Sequence, residues 1–214
     1  MEDSKIYFWQ DYIQKAPICI ELVKNYPEIK KEIVSFISNS EVLHDYPRYL
    51  IGRPNPHYMY DNYWKVVPIS NLKGEMFGKR VDADQEAYID NLILNAKSNC
   101  PTINSVISQL EEEDIIANCF ISRVLPGTVI HPHTGITEDY MRTHLGIVCD
   151  PGCKLTVGPG TESCSWEEGK ILAFHDGDVH SLRHDGTSER IVLSIDIRLE
   201  YLNPYIDDML QKVK

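Results

Sequence analysis

Between residues 115 and 199 the chain is broken into short apolar runs by turns containing glycine and proline, and this rhythm admits few architectures. Strand-like runs fall at 115–125, 129–133, 142–149, 154–157, 171–174, 179–183 and 190–199, separated by turns such as Pro126-Gly127 and Asp150-Pro151-Gly152. Many short strands joined this way indicate a sandwich or jelly roll rather than a parallel α/β sheet. The expected fold is mainly β with N-terminal helices.

Upstream the periodicity changes. Asn25-Tyr26-Pro27-Glu28 reads as a helix start with proline in the first turn, and Ile29, Ile33, Phe36 and Ile37 follow at helical spacing. Helical spacing returns at 84–97, with Tyr88, Leu92 and Ala96, and at 102–112, with Ile103, Val106, Ile107 and Leu110. Residues 50–78 are rich in Pro, Tyr, Asn and Gly and read as irregular chain, with Tyr58, Tyr60, Tyr63 and Trp64 either packed over the barrel or lining a site. A chain of 214 residues is expected to form one domain. Its parts would be a helical N-terminal extension at 1–56 packing on the barrel, a β domain at 57–200 and a tail or helix at 201–214.

A formal net charge of −11 argues against general affinity for nucleic acid or anionic membrane, which needs clustered Lys and Arg. No apolar stretch is long enough to span a bilayer, and Met1-Glu2-Asp3-Ser4-Lys5 lacks the basic start and apolar core of a signal peptide. A cytoplasmic location is expected. The six cysteines form no pair of C-x-x-C units, so they read as buried thiols in a reducing compartment. Cys149 and Cys153 flank a turn and are the pair that could come close.

Alternation along strands brings chemistry to one face. Arg142 and His144 point together, as do His131 and His133. In the run from Arg190 to Ile197, isoleucine and leucine fill one face while Arg190, Ser194 and Asp196 lie on the other. A strand on a water-exposed sheet would show the same period, so spacing alone does not make Arg190 a ligand-binding residue. His131, His133 and His180 together could also form a three-histidine metal site.

The ordered matches are Pro126-Gly127-Thr128, His133-Thr134-Gly135-Ile136-Thr137, Arg142-Thr143-His144-Leu145-Gly146, Gly152-Cys153-Lys154-Leu155, Trp166-Glu167-Glu168-Gly169-Lys170, the segment from Phe174 to His180, and Arg190. Trp64, Pro68 and Cys100-Pro101-Thr102 add weaker ones. Over roughly residues 60 to 200 the chain resembles the aspartyl/asparaginyl β-hydroxylase family of Fe(II)- and 2-oxoglutarate-dependent oxygenases. The resemblance implies a double-stranded β-helix, a cupin-like jelly roll.

It also implies His133 and His180 as metal ligands, with Gly135 where most of the superfamily carries an Asp or Glu. Arg190 with Ser122 would hold the distal carboxylate of 2-oxoglutarate, and His144 with Arg142 would lie near the other. The implied chemistry couples decarboxylation of 2-oxoglutarate by O₂ to hydroxylation of an unactivated C–H bond. Family members acting on peptide aspartate often carry a second arginine where this chain has Tyr140, behind Glu138 and Asp139. An acidic approach repels an acidic side chain, so a free amino acid or related small metabolite is the expected substrate. Aspartyl or asparaginyl residues of a peptide are the alternative.

Oxidative halogenation and a non-catalytic carboxylate-binding barrel are the rival outcomes. His175 and His184 read as supporting or exposed residues, Asp176 as orienting a neighbour, and Arg183 as a surface residue. Trp166-Glu167-Glu168-Gly169 reads as a turn opening a strand.

Overall fold

The computed structural model describes residues 6–45, 64–70, 83–135, 139–158 and 162–212. Three helices come first: α1 (Gln10–Ile13), α2 (Pro17–Lys24) and α3 (Tyr26–Ile37). Asn25 ends α2 and opens α3, its side-chain amide donating back to Glu21 O at 2.8 Å, and Pro27 sits in the first turn of α3 as the sequence suggests. A short strand β1 (His44–Asp45) follows, then β2 (Trp64–Ser70), α4 (Ala83–Asn99) and α5 (Pro101–Glu112). The remaining strands are β3 (Ile116–Val124), β4 (Val129–His133), β5 (Tyr140–Val148), β6 (Cys153–Val157), β7 (Glu162–Cys164), β8 (Ile171–His175), β9 (His180–His184) and β10 (Arg190–Arg198). Helix α6 (Leu199–Lys212) closes the described chain.

All strand pairings among the described residues are antiparallel. A six-stranded sheet runs β1-β2-β3-β10-β5-β8 and faces a four-stranded sheet β4-β9-β6-β7. This is a double-stranded β-helix, mainly β, with helices laid on the outside of the larger sheet.

The larger sheet is buried on both faces, which is why β3, β5 and β10 are buried almost throughout. Outward from the barrel, Ile121, Leu145, Ile147, Leu193 and Ile195 pack with Ile13, Leu22, Ile29, Ile33, Ile103, Ile107 and Leu202 of the helices. Inward, Val124, Leu172, Phe174 and Val192 meet Ile130, Leu155, Val157 and Leu182 of the smaller sheet. Each fully buried aliphatic side chain contributes about 1.5–3 kcal/mol, so the helices are integral to the stability of the larger sheet. The segment before α1 covers that sheet's β8 edge, where Trp9 N donates to Ala173 O at 2.8 Å and Phe8 bridges Phe174.

Several sequence expectations change. Residues 64–70, read as irregular, form β2 inside the larger sheet, with Pro68 beside a register break where β1 no longer pairs. Proline tolerates that place because no ladder donor is required of it there. Tyr58, Tyr60 and Tyr63 lie outside the described residues. On α4 the buried residues among those whose side chains are described are Ile89 and Ala96, and Tyr88 is turned out to solvent. Strand β7, three residues long, escaped the period-2 reading. None of the described helices is long and apolar enough to cross a membrane.

Candidate active site

The polar face of β10 does not meet water. Arg190, Ser194 and Asp196 are buried and point into the barrel, alongside Ser122 of β3 and His144 of β5. Adjacent strands β4 and β9 pair His133 with His180 in register, with ring centroids 4.2 Å apart. A pocket between the sheets is lined by Trp64, Ser122, His133, His144, His180 and Arg190, among others. All six site residues expected from the sequence border it, since Arg142 lines it too.

The two histidines are set in the same way. His133 Nδ1 lies 2.8 Å from the carbonyl of His131, and His180 Nδ1 lies 2.8 Å from the carbonyl of Asp178. A carbonyl only accepts, so each Nδ1 carries the proton and each Nε2 keeps its lone pair. Burial lowers the pKa of both rings, with Arg142 acting in the same direction, so both are neutral near pH 7. Two neutral imidazoles with ring centroids 4.2 Å apart and Nε2 unprotonated form a donor set suited to a divalent transition metal. His131 contributes its backbone oxygen to this arrangement, and its side chain is partly exposed. Among the described residues no cluster of three His, Cys, Asp or Glu side chains is placed to hold a metal ion. Glu138 lies outside them.

Asp176, read from the sequence as orienting a neighbour, sits beside two site residues. Its Oδ1 is 3.9 Å from His180 Nε2 and 2.7 Å from Arg142 Nη1, the latter an ion-pair contact outside hydrogen-bond alignment. Its backbone carbonyl accepts from Gly135 N at 2.7 Å. A Cβ at residue 135 would overlap the Asp176 carboxylate, so glycine is required there by close approach. Burial raises the Asp176 carboxyl pKa to about 6 although Arg142 opposes the shift.

Arg142 is held by two carboxylates. Its Nε and Nη2 donate to the two oxygens of Asp196 at 2.8 and 2.9 Å, a bidentate pair, and Nη1 meets Asp176. With both acids ionised this trio carries a net negative charge, which favours a cation beside His133 and His180. Tyr140 is buried, with the Arg198 guanidinium 5.2 Å over its ring.

Arg190 differs. It is only 3% exposed, and among the described residues no carboxylate pairs with it. Nη1 donates to Ser122 O at 3.2 Å and to Ser122 Oγ at 3.1 Å, while Nε makes no hydrogen bond. Ser122 Oγ also accepts from Trp64 Nε1 at 3.0 Å, leaving its own O–H to donate into the pocket. Burial lowers the Arg190 pKa, and the nearby Cys153 thiol opposes that shift. A buried guanidinium without an acid partner suits an anionic ligand.

The turn that leads from β9 in the smaller sheet to β10 in the larger one, and so from His180 to Arg190, is fastened by Asp150. Its carboxylate accepts from Gly152 N at 2.7 Å, Thr187 N at 2.9 Å, Ser188 N at 2.8 Å and Ser188 Oγ at 2.9 Å. His184, fully buried rather than peripheral, adds a 2.8 Å contact from Nε2 to Ser188 O. The bonds from Ser188 and Gly152 hold the Asp150 carboxyl well below the usual carboxylate range. A depressed folded value gives stability that is full above the unfolded value, about pH 4, and is lost as pH falls toward the folded one. Asp150→Asn is therefore expected to lower the urea midpoint at neutral pH, with the gap to wild type closing in acid. Midpoints that run parallel from pH 7 to pH 3 would refute this role.

A family model described as aspartyl/asparaginyl beta-hydroxylase matches residues 23–199. The chain belongs to that family. Aspartate beta-hydroxylase domain-containing protein 2 of Mus musculus is 36% identical over 104 residues, 46% of this chain and 30% of that protein. Its Xenopus tropicalis counterpart is 34% identical over 143 residues, 63% of this chain and 35% of that protein. Aspartyl/asparaginyl beta-hydroxylase of Homo sapiens is 40% identical over 80 residues, 37% of this chain and 10% of that protein. The chain thus spans about a third or less of the length of these curated relatives. Among solved structures, a Pseudomonas putida prolyl-4-hydroxylase superposes with a TM-score of 0.44 at 16% identity, covering 81% of this chain and 86% of that one.

Proposed function

We propose that this family member is an Fe(II)- and 2-oxoglutarate-dependent dioxygenase that hydroxylates an unactivated C–H bond of an amino acid or related small metabolite. The observation that carries the reading is Arg190, a buried guanidinium without an acid partner among the described residues, in the same pocket as two neutral histidines whose ring centroids lie 4.2 Å apart. His133 and His180 would hold the metal. Arg190 and Ser122 would grip the distal carboxylate of 2-oxoglutarate, with His144 and Arg142 toward its other end. When bound, the metal supplies O₂ activation coupled to oxidative decarboxylation of the co-substrate.

The chain's own residues bind and orient. Arg190 presents a planar fork that matches a carboxylate, and Ser122 adds a hydroxyl donor. His144 is neutral, held well below the ordinary imidazole pKa by burial and by Arg190 and Arg142. Phe174, with its ring 5.6 Å from His144 and 4.9 Å from His180, forms an apolar wall between them that keeps water from the site.

The acid-rich surroundings of Arg142 support a substrate without a strongly acidic group at that end. The curated relatives' names support the second reading, hydroxylation of aspartyl or asparaginyl residues in a peptide. The six free cysteines suit a reducing, cytoplasmic setting.

The test is succinate formation from 2-oxoglutarate with Fe(II) and O₂, run with a panel of free amino acids and with aspartyl and asparaginyl peptides, each screened for the mass of one added oxygen atom. Turnover with amino acids is expected. Hydroxylation of the peptides alone would overturn the substrate assignment, and absence of 2-oxoglutarate binding would overturn the whole proposal.

A further inference from the structure

Trp166 follows β7 in a segment that reads as an ordinary turn, yet it is 3% exposed and touches two residues of the proposed co-substrate site. Its indole Nε1 donates to His144 Nδ1 at 3.0 Å. The Arg190 guanidinium carbon lies 4.7 Å from the centre of its ring. One side chain therefore reaches both groups assigned to the two ends of 2-oxoglutarate.

We infer that Trp166 is a positioning residue for the co-substrate, fixing the His144 tautomer so that Nε2–H is offered as a donor while its ring face backs Arg190. The inference rests on the co-substrate reading above. An indole N–H is donor only, so the nitrogen it meets must be an acceptor. With Nδ1 occupied as acceptor, the proton of neutral His144 sits on Nε2, as an interaction with a carboxylate or keto oxygen requires. Were the tautomer reversed, two N–H groups would face each other at Nδ1 and Nε2 would present a lone pair to an anion. On the other contact, a desolvated guanidinium over an aromatic face gains cation–π attraction that a carboxylate placed there would not permit. Trp166 thus supports Arg190 while leaving its charge available to a ligand.

Trp166→Phe separates the two roles, because it keeps a ring against Arg190 and deletes only the N–H. Long-range ¹H–¹⁵N spectra of the metal-free, ligand-free protein should show His144 protonated on Nε2 in the wild type and a mixture of tautomers in Trp166→Phe. Titration with 2-oxoglutarate in the presence of zinc(II), which supports no turnover, should show binding weakened about tenfold by the substitution, as expected for an unmade buried hydrogen bond. In a His144→Gln background the same substitution should change binding by less than about twofold, since the effect runs through His144. A general packing defect would weaken binding equally in both backgrounds.

Protonation of His144 on Nδ1 in the wild type would overturn the inference without need of any variant. Wild-type binding of 2-oxoglutarate matched by Trp166→Phe would overturn it while leaving the proposed function standing. A wild-type protein with the expected tautomer but no affinity for 2-oxoglutarate would overturn both.

Discussion

Arg190→Lys is expected to weaken 2-oxoglutarate binding by at least about thirtyfold while the protein stays folded. Breaking one side of a buried, hydrogen-bonded charge pair costs about 2–5 kcal/mol, roughly thirtyfold to several-thousand-fold in affinity. Lysine keeps the charge but loses the planar fork, the paired contacts to Ser122 and the broad face against Trp166. Arg190→Met should go further on binding and in the opposite direction on stability. Without an acid partner among the described residues, the guanidinium is a buried charge whose desolvation is poorly offset, so its removal should leave the ligand-free denaturation midpoint unchanged or higher. Calorimetry with 2-oxoglutarate alongside urea unfolding measures both quantities. Equal affinity in wild type and Arg190→Lys would move this arginine out of the binding site.

The second large effect concerns His133 and His180. Even the loss of a supporting partner around a metal site lowers affinity by about 10- to 100-fold, and removal of a directly coordinating ring should exceed that. Single alanine variants are expected to weaken cobalt(II) binding beyond this range, and the double variant to abolish it, as read from the ligand-field absorption of the ion. Retention of wild-type affinity by the double variant would place the metal elsewhere.

Apart from the three-residue β7, the strands from residue 115 onward were legible because turn residues and period-2 patterning act locally. Strand β2 was not, because its aromatic and proline content resembles loop composition and its pairing partner β3 is distant in sequence. The polar face of β10 was visible as a face, but its direction was not. Only the closure of a second sheet over it decides whether Arg190, Ser194 and Asp196 meet water or the barrel interior. Arg142 and His144 were recognisable from their spacing and family resemblance, whereas the bidentate Asp196 and the Asp176 contact depend on neighbours from two other elements. Trp166 was passed over for a related reason. Its turn is encoded locally, and its indole's destination is not.

The overlap between a side chain at residue 135 and the carboxylate of Asp176 has a historical consequence. A chain carrying an acid at 135 and a chain carrying Asp176 in its present pose are alternative solutions, and no single substitution converts one into the other without a collision. Gly135→Asp would fail while Asp176 remains, and even alanine would meet the Asp176 backbone carbonyl at 2.8 Å. Any lineage crossing between them must both give up the Asp176 carboxylate and shift the backbone at 176, whose carbonyl a Cβ at 135 would still meet. The glycine is thereby locked in place by a neighbour far along the chain.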